Sequence, residues 1–107
     1  MGGIRMAEQS QIKKMPTVAI SGELDHHTAE KIRTRMDKLI VEKKLKCVVL
    51  DLRGLTFMDS SGIGVLLGRY KLLKQRGGQL YVKNLSRSID KIFRLSGLYQ
   101  VIKKVSE

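Results

Sequence analysis

The chain turns from an apolar strand into an apolar-striped helix at Phe57-Met58-Asp59-Ser60-Ser61-Gly62-Ile63-Gly64. A helix start offers unpaired backbone N–H groups and the positive end of a dipole, so an anion placed there is stabilised. Asp59 brings a carboxylate to this point, and two hydroxyls follow it directly. The stretch therefore predicts a strand-to-helix turn at which a serine can carry a phosphate without unfolding its surroundings.

Outside this turn, the spacing of apolar residues changes repeatedly between strand-like and helical. Helices are predicted from Thr28, with Asp25 or Thr28 as cap, from Ile63 to the Gly77-Gly78 pair, and from Ser86 to about Gly97. Strands are predicted at residues 17–21, 47–52 and 80–82, with weaker ones at 4–12 and 101–102. The run at 47–52 is almost continuously apolar, which is typical of a strand covered on both faces.

This alternation predicts an α/β fold, with a mixed, mostly parallel β-sheet of four to five strands and helices packed against it. The 107 residues form one domain, in which residues 1–15 make a weaker strand or a partly ordered arm. Functional loops gather beyond the carboxyl ends of parallel strands. If the strands before loops 22–27 and 53–60 are neighbours, Asp25 and His26 should lie close to Asp59 and Ser60.

The composition is that of a globular chain, except for a high positive charge. Apolar residues make up 42% and charged residues 29% of the chain, and no apolar run is long enough to cross a membrane. The single Cys47 excludes an internal disulfide and favours the cytoplasm. The formal charge of +11 makes nucleic acid, anionic membrane or an acidic protein plausible partners. The cations interleave with apolar positions, which favours solvated helix faces instead.

Catalytic and ligand-binding interpretations of the same residues are weaker. The serines lack the Gly-x-Ser-x-Gly context of a nucleophile, and adjacent His26 and His27 do not make a metal site. Gly64 and Gly68 lack the companions of a phosphate-binding loop, so they predict close approach of a backbone, from the sheet or from a partner. No catalytic residue, metal or cofactor is predicted. An interpretation in which Ser60 and Ser61 only cap the helix stays open.

Three segments carry a resemblance to a known family. They are Gly22-Glu23-Leu24-Asp25-His26-His27-Thr28-Ala29-Glu30, the run from Phe57 to Gly62, and Gly68-Arg69-Tyr70-Lys71, with Ser96-Gly97-Leu98 fitting the same pattern. Together they resemble the anti-anti-sigma factors of the STAS-domain family, in particular those of the sporulation sigma-F system. The similarity runs from about residue 16 to residue 102.

The resemblance implies a partner-switching regulator of transcription that is not itself an enzyme. Unphosphorylated, it would bind an anti-sigma factor with serine kinase activity and so release the sigma factor. The kinase would then phosphorylate Ser60, and a PP2C-like phosphatase would restore the binding form. The partner-binding residues implied are Asp25, His26, Asp59, Ser60, Ser61, Gly62 and an exposed face near Arg69. We expect a monomer when free and no membrane partner. Nucleic acid is disfavoured as a partner, because two Phe and three Tyr offer little stacking surface and no DNA-reading motif is present.

Two departures from the family pattern bear on the choice of partner. The chain ends at Glu107, short of the last helix of longer members, so the carboxyl-terminal edge is expected to be exposed or completed differently. The positive charge is unusual for the family and predicts an acidic face on the partner. Two alternatives are kept: a STAS scaffold subunit of another stress-signalling complex, and a basic nucleic-acid-binding domain.

Overall fold

The computed structural model describes residues 3–9 and 15–106, which form a β-sheet with three helices. The elements, in chain order, are β1 (Ile4–Gln9), β2 (Thr17–Leu24), α1 (Ala29–Glu42), β3 (Cys47–Asp51), β4 (Leu55–Met58), α2 (Ser60–Gln75), β5 (Gln79–Lys83), α3 (Arg87–Ser96) and β6 (Lys103–Lys104). A single 3-10 turn at Leu98–Gln100 lies between the last two. The sheet order is β1-β2-β3-β5-β6, with β4 also paired to β2. Only β1 is antiparallel to its neighbour among these strands.

The predicted fold class is confirmed, and so are two of the predicted helix ends. Ser86 caps α3 by accepting a hydrogen bond from the backbone N–H of Ile89 at 3.2 Å. Gly97 follows α3 with a φ of 83°, a left-handed conformation that glycine adopts at little steric cost.

The number and the bounds of the strands differ from the prediction, since the described residues contain six. Strand β4 occupies the middle half of the segment predicted as the loop 53–60. It is short, with two buried and two exposed residues, so its sequence shows no clear period. The last strand lies at Lys103–Lys104 and not at 101–102. The first ends at Gln9, and residues 10–12 of the predicted strand lie outside the described residues.

Strands β3 and β4 are joined by a turn, and both pair with β2, but at different residues of it. Strand β3 pairs with residues 17–19 of β2, whereas β4 pairs with residues 22–24. The backbone N–H of Leu55 donates to the carbonyl of Leu52, which closes the turn between β3 and β4. As a result, β2 and β4 end side by side, and the loops that follow them start at the same edge.

One face of the sheet carries the core. The cross-strand row Val18, Leu50 and Val82 is fully buried. Helices α1 and α2 pack side by side and add Ile32 and Leu66 to the same cluster. No helix in the described part of the chain is long and apolar enough to cross a membrane.

Candidate functional site

Ser60 is the first residue of α2 and is exposed to solvent. Asp59 precedes it as the N-cap. One carboxylate oxygen of Asp59 accepts hydrogen bonds from the backbone N–H groups of Ser61, at 2.9 Å, and Gly62, at 3.3 Å. A side-chain oxygen in this position satisfies donors that the helix itself leaves unpaired. The cap therefore fixes the start of α2 and leaves the Ser60 side chain on the surface.

The loop after β2 is held by a second carboxylate. Asp25 accepts hydrogen bonds from the backbone N–H groups of His27, at 2.8 Å, and Thr28, at 3.1 Å. Burial acts to raise the pKa of the Asp25 carboxyl, but these hydrogen bonds outweigh it and lower the pKa. The Thr28 hydroxyl donates to the carbonyl of Glu23 at 2.6 Å, which ties the start of α1 to the end of β2.

The two loops contact each other, as the predicted topology requires. The second carboxylate oxygen of Asp59 accepts a hydrogen bond from the backbone N–H of His26 at 3.3 Å. The backbone N–H of Asp59 points to the carbonyl of Leu24 at 3.4 Å. The predicted proximity of the loops is thus confirmed by the His26–Asp59 contact. It arises because β4, and not β3, lies beside the end of β2.

The helix start is less available to an anion than the sequence predicts. Two of its N–H groups, those of Ser61 and Gly62, already donate to Asp59. A phosphate on Ser60 can use these donors only by displacing the Asp59 carboxylate. Without that displacement, a phosphate on Ser60 would add negative charge to the surface next to two carboxylates, Asp25 and Asp59.

Gly62 is a packing residue and contributes no exposed side chain to this site. A Cβ placed on it would lie 2.5 Å from Cγ of Met58 and 2.7 Å from the carbonyl oxygen of Leu24. Gly62 is buried, and Ser61 beside it is half-buried. Only glycine therefore lets the first turn of α2 sit directly on the ends of β2 and β4.

The expectation that Arg69 lies on an exposed face is wrong. The residue is only 7% exposed, because its side chain lies between α2 and α1. Its Nε is 2.7 Å from a carboxylate oxygen of Asp37, without the alignment of a hydrogen bond, and its Nη1 donates to the carbonyl of Val65 at 3.3 Å. Burial lowers the pKa of the guanidinium, and the charge of Asp37 opposes that shift. Arg69 joins two helices instead of meeting a partner with its own side chain.

The outward side of α2 also belongs to the candidate site. In the sequence, only two glycines on this side pointed to it. Apart from the surrounding backbone of α2 itself, no atom lies within 4 Å of the place where a Cβ would be on Gly64 or Gly68. Of the two backbones left open by the sequence, the sheet does not approach these glycines, and approach by a partner stays a prediction. Ile63 and Leu67 lie on the same side and are half-buried, and Lys71 continues it as an exposed residue.

The two adjacent histidines contact each other through their rings. The rings of His26 and His27 are 5.4 Å apart in an edge-to-face arrangement. Within residues 3–9 and 15–106, no group of three or more His, Cys, Asp or Glu side chains could hold a metal ion.

Comparisons with known proteins identify a matching family and similar proteins. A family model described as "STAS domain" matches residues 4–107. An anti-sigma F factor antagonist of Paenibacillus polymyxa is 45% identical over 85 residues, 79% of this chain and 73% of that protein. An anti-sigma-B factor antagonist of Bacillus subtilis is 33% identical over 85 residues, 79% of this chain and 76% of that protein.

Two solved structures of one protein superpose on most of the chain. The anti-sigma factor antagonist SpoIIAA in its unphosphorylated form has a TM-score of 0.79 and 30% identity, covering 96% of this chain and 90% of that one. The Bacillus cell fate determinant SpoIIAA in the phosphorylated form has a TM-score of 0.71 and 30% identity, covering 96% and 93%. A similar fold therefore exists for both forms of that protein.

Proposed function

The chain belongs to the STAS domain family, and we propose that it is an anti-sigma factor antagonist switched by phosphorylation of Ser60. In this proposal the unphosphorylated protein binds an anti-sigma factor with serine kinase activity and releases the sigma factor. The kinase phosphorylates Ser60, the complex dissociates, and a PP2C-like phosphatase restores the binding form. Catalysis belongs to those partners, and the role places the protein in the cytoplasm.

The observation that carries the proposal is the exposed Ser60 on a rigid helix start. Asp59 caps α2 and also binds the neighbouring loop through His26, so the backbone on both sides of Ser60 is fixed by hydrogen bonds. The relatives named as anti-sigma factor antagonists support the role, and a phosphorylated form of SpoIIAA supports the type of switch.

Phosphorylation is expected to act through surface charge. A phosphoserine carries nearly two negative charges at pH 7. The nearest N–H groups of α2 are already bound to Asp59, so the phosphate stays exposed beside that carboxylate. A partner that contacts Ser60 closely has to desolvate this phosphate, so binding is weakened. The fold of the antagonist is retained.

The outward side of α2 is the proposed docking face. Gly64 and Gly68 leave its backbone open, and half-buried Ile63 and Leu67 offer apolar contact on the same side. Ser60 lies at the amino-terminal end of this face, which places the phosphate at the edge of the contact. Asp25, His26 and Ser61 extend the proposed contact to the neighbouring loop.

The first test is phosphate transfer from the cognate anti-sigma kinase. With ATP, the wild-type protein is expected to gain one phosphate by intact-mass measurement. Ser60→Ala should abolish that gain, whereas the matched control Ser61→Ala should retain it. Phosphorylation of the Ser60→Ala protein would show that Ser60 is the wrong acceptor.

The second test separates charge from fold. Ser60→Asp should weaken binding to the kinase while its circular dichroism spectrum and thermal midpoint stay close to wild type. Wild-type affinity in this variant, with Ser60→Asn as the neutral control, would contradict the charge mechanism.

A stress-response kinase is the second candidate partner, because anti-sigma-B factor antagonists are also among the relatives. Parallel binding measurements with a sigma-F-type and a sigma-B-type kinase distinguish the two. Tighter binding of the sigma-B-type kinase would move the protein to a stress-signalling complex.

A further inference from the structure

The excess of positive over negative charge is concentrated in the second half of the chain. Residues 60–106 contain ten lysine or arginine residues and a single acidic residue, Asp90. The segment thus has a formal charge of +9, out of +11 for the whole chain. In the fold this segment comprises α2, β5, α3 and β6. The other acidic residues that the structure describes lie on β1, β2, α1 and β3 and in the loops that follow β2 and β4.

Helix α3 directs two of these cations and one leucine outward. Arg87, Lys91 and Leu95 are spaced four residues apart, so they share one side of the helix, and all three are exposed. The opposite side carries Ile89 and Phe93, which are fully buried.

The one acidic residue of the segment is engaged by its own neighbours. The Asp90 carboxylate accepts hydrogen bonds from the Tyr99 hydroxyl at 2.5 Å and from Arg94 at 2.7 Å, and Lys104 lies at 3.5 Å. The Tyr99 hydrogen bond is the main cause of a lowered pKa at Asp90, so the carboxylate stays ionised.

On α3 and β6, among residues 3–9 and 15–106, three cations have no acidic partner. They are Arg87 and Lys91 on α3 and Lys103 on β6. Lys103 is exposed, and β6 pairs with β5 through the Tyr81–Lys103 register.

This surface is connected to the Ser60 turn through β4. Helix α3 packs against β4, and β4 leads directly into Asp59 and Ser60. Phe57, on β4, is 48% exposed. A partner that covers Ser60 can therefore extend over β4 onto α3.

We propose that Arg87, Lys91, Leu95 and Lys103 form a second docking surface, the α3–β6 surface, which binds an acidic face of the anti-sigma partner. This inference rests on the proposed function and names the chemistry of the partner. Carboxylates on that face would pair with the three cations, while an apolar pocket receives Leu95. The charge complementarity would act mainly on the rate of association, because long-range attraction steers the encounter.

The exposed Leu95 side chain favours a protein over a nucleic acid as the partner that binds the α3–β6 surface. Its side chain is among the most exposed large apolar groups of the described chain, at 76%. Nucleic-acid surfaces use cations for phosphates and aromatic rings for bases, and a leucine gains little from either. A protein partner can bury it, and removing such an anchor is expected to raise the dissociation rate.

The test compares two triple variants that remove the same charge. One is R87Q/K91Q/K103Q, on the α3–β6 surface; the other is R35Q/K38Q/K46Q, at exposed positions on α1 and before β3. Association with the cognate anti-sigma kinase is measured by stopped flow over a range of NaCl concentrations. The first variant should associate about tenfold more slowly at low salt, and the second nearly as fast as wild type. The difference should largely disappear at about 1 M salt.

Leu95→Ala gives an independent readout. It should raise the dissociation rate several-fold and leave the association rate unchanged. Thermal midpoints of all variants are measured alongside, so that a loss of fold is recognised as such.

The outcomes separate this inference from the proposed function. No association of the wild-type protein with the kinase contradicts the function and the inference together. Association that slows equally in both triple variants, or in neither, overturns the α3–β6 surface and leaves the function standing. Duplex DNA and phosphatidylserine vesicles are tested as competing occupants. Binding to either at about 0.15 M salt, lost in the first triple variant while kinase association is unchanged, would also overturn the inference.

Discussion

Gly62 and Gly64 lie two positions apart on α2 and have opposite surroundings. A Cβ on Gly62 would lie 2.5 Å from Cγ of Met58 and 2.7 Å from a backbone carbonyl, whereas a Cβ on Gly64 meets nothing within 4 Å apart from the surrounding backbone of α2 itself. The first glycine is needed for packing inside the chain. The second exposes helical backbone to solvent and destabilises the isolated protein, which fits a position reserved for a partner.

Alanine at these two positions should therefore have effects of opposite sign. Gly62→Ala is expected to lower the free energy of unfolding by about 1–3 kcal/mol, because the carbonyl of Leu24 cannot move away easily. Gly64→Ala is expected to raise it by about 0.5–1 kcal/mol, since alanine favours the helix. Urea unfolding measures both changes.

The Gly64 variant also tests the docking face. It should bind the anti-sigma kinase more weakly despite its higher stability, because the added methyl lies on the outward side of α2. Unchanged binding would remove Gly64 from the proposed contact.

At the scale of elements, the α1–α2 contact includes an ion pair that the sequence did not indicate. Arg69 and Asp37 are 32 positions apart, and neither residue has a pattern that pairs it with the other. Arg69 has a side-chain exposure of 9%, and Asp37 one of 33%, so one charge is buried and the other partly solvated. A buried cation that loses its counter-charge is destabilising, whereas a well-packed apolar replacement can be tolerated.

A double-mutant cycle measures this pair. Asp37→Asn should lower the free energy of unfolding by about 1–3 kcal/mol, because it leaves the guanidinium unpaired. Arg69→Met keeps much of the packing and should cost less. The double variant should be more stable than the sum of the single effects predicts, as expected for residues in contact.

Binding of the same variants decides the role of Arg69. Arg69→Met should bind the anti-sigma kinase with nearly wild-type affinity, because the residue is buried. A large loss of affinity at unchanged stability would return Arg69 to the docking surface that the family resemblance implied.

At the scale of the whole molecule, the charge of +11 acts within a small volume. The principal extents are 31, 25 and 25 Å. The screening length is about 30 Å at 0.01 M salt and about 8 Å at 0.15 M. At low salt almost every cation therefore interacts with every other, whereas at physiological salt only near neighbours do. Such self-repulsion destabilises the compact state.

The thermal midpoint should accordingly rise when NaCl is increased from about 0.01 M to 0.15 M. The R87Q/K91Q/K103Q variant, with three fewer charges, should show a smaller rise. Differential scanning calorimetry gives both values. A midpoint that falls with salt would mean that favourable pairs, such as Glu8 with Lys43, outweigh the repulsion.

Much of the fold and part of the candidate site could be predicted from the sequence because the information is local. Apolar spacing defines the helices and the long strands, and Ser86 and Gly97 mark helix ends through their own conformational preferences. The Asp59-Ser60-Ser61-Gly62 turn is likewise readable, since a carboxylate before a helix is a recognised cap. The family resemblance, based on contiguous segments, is confirmed by the match to residues 4–107.

Only the tertiary structure decided what depends on distant contacts. It placed β4 beside β2, brought His26 to Asp59, buried Arg69 against Asp37, and gave Gly62 and Gly64 different neighbours. The sequence by itself determined the three helices, the long strands and the strand-to-helix turn that contains Asp59 and Ser60, but not β4. Whether a side chain is exposed to a partner or buried within the chain depends on residues many positions away, because burial is a property of packing and not of spacing.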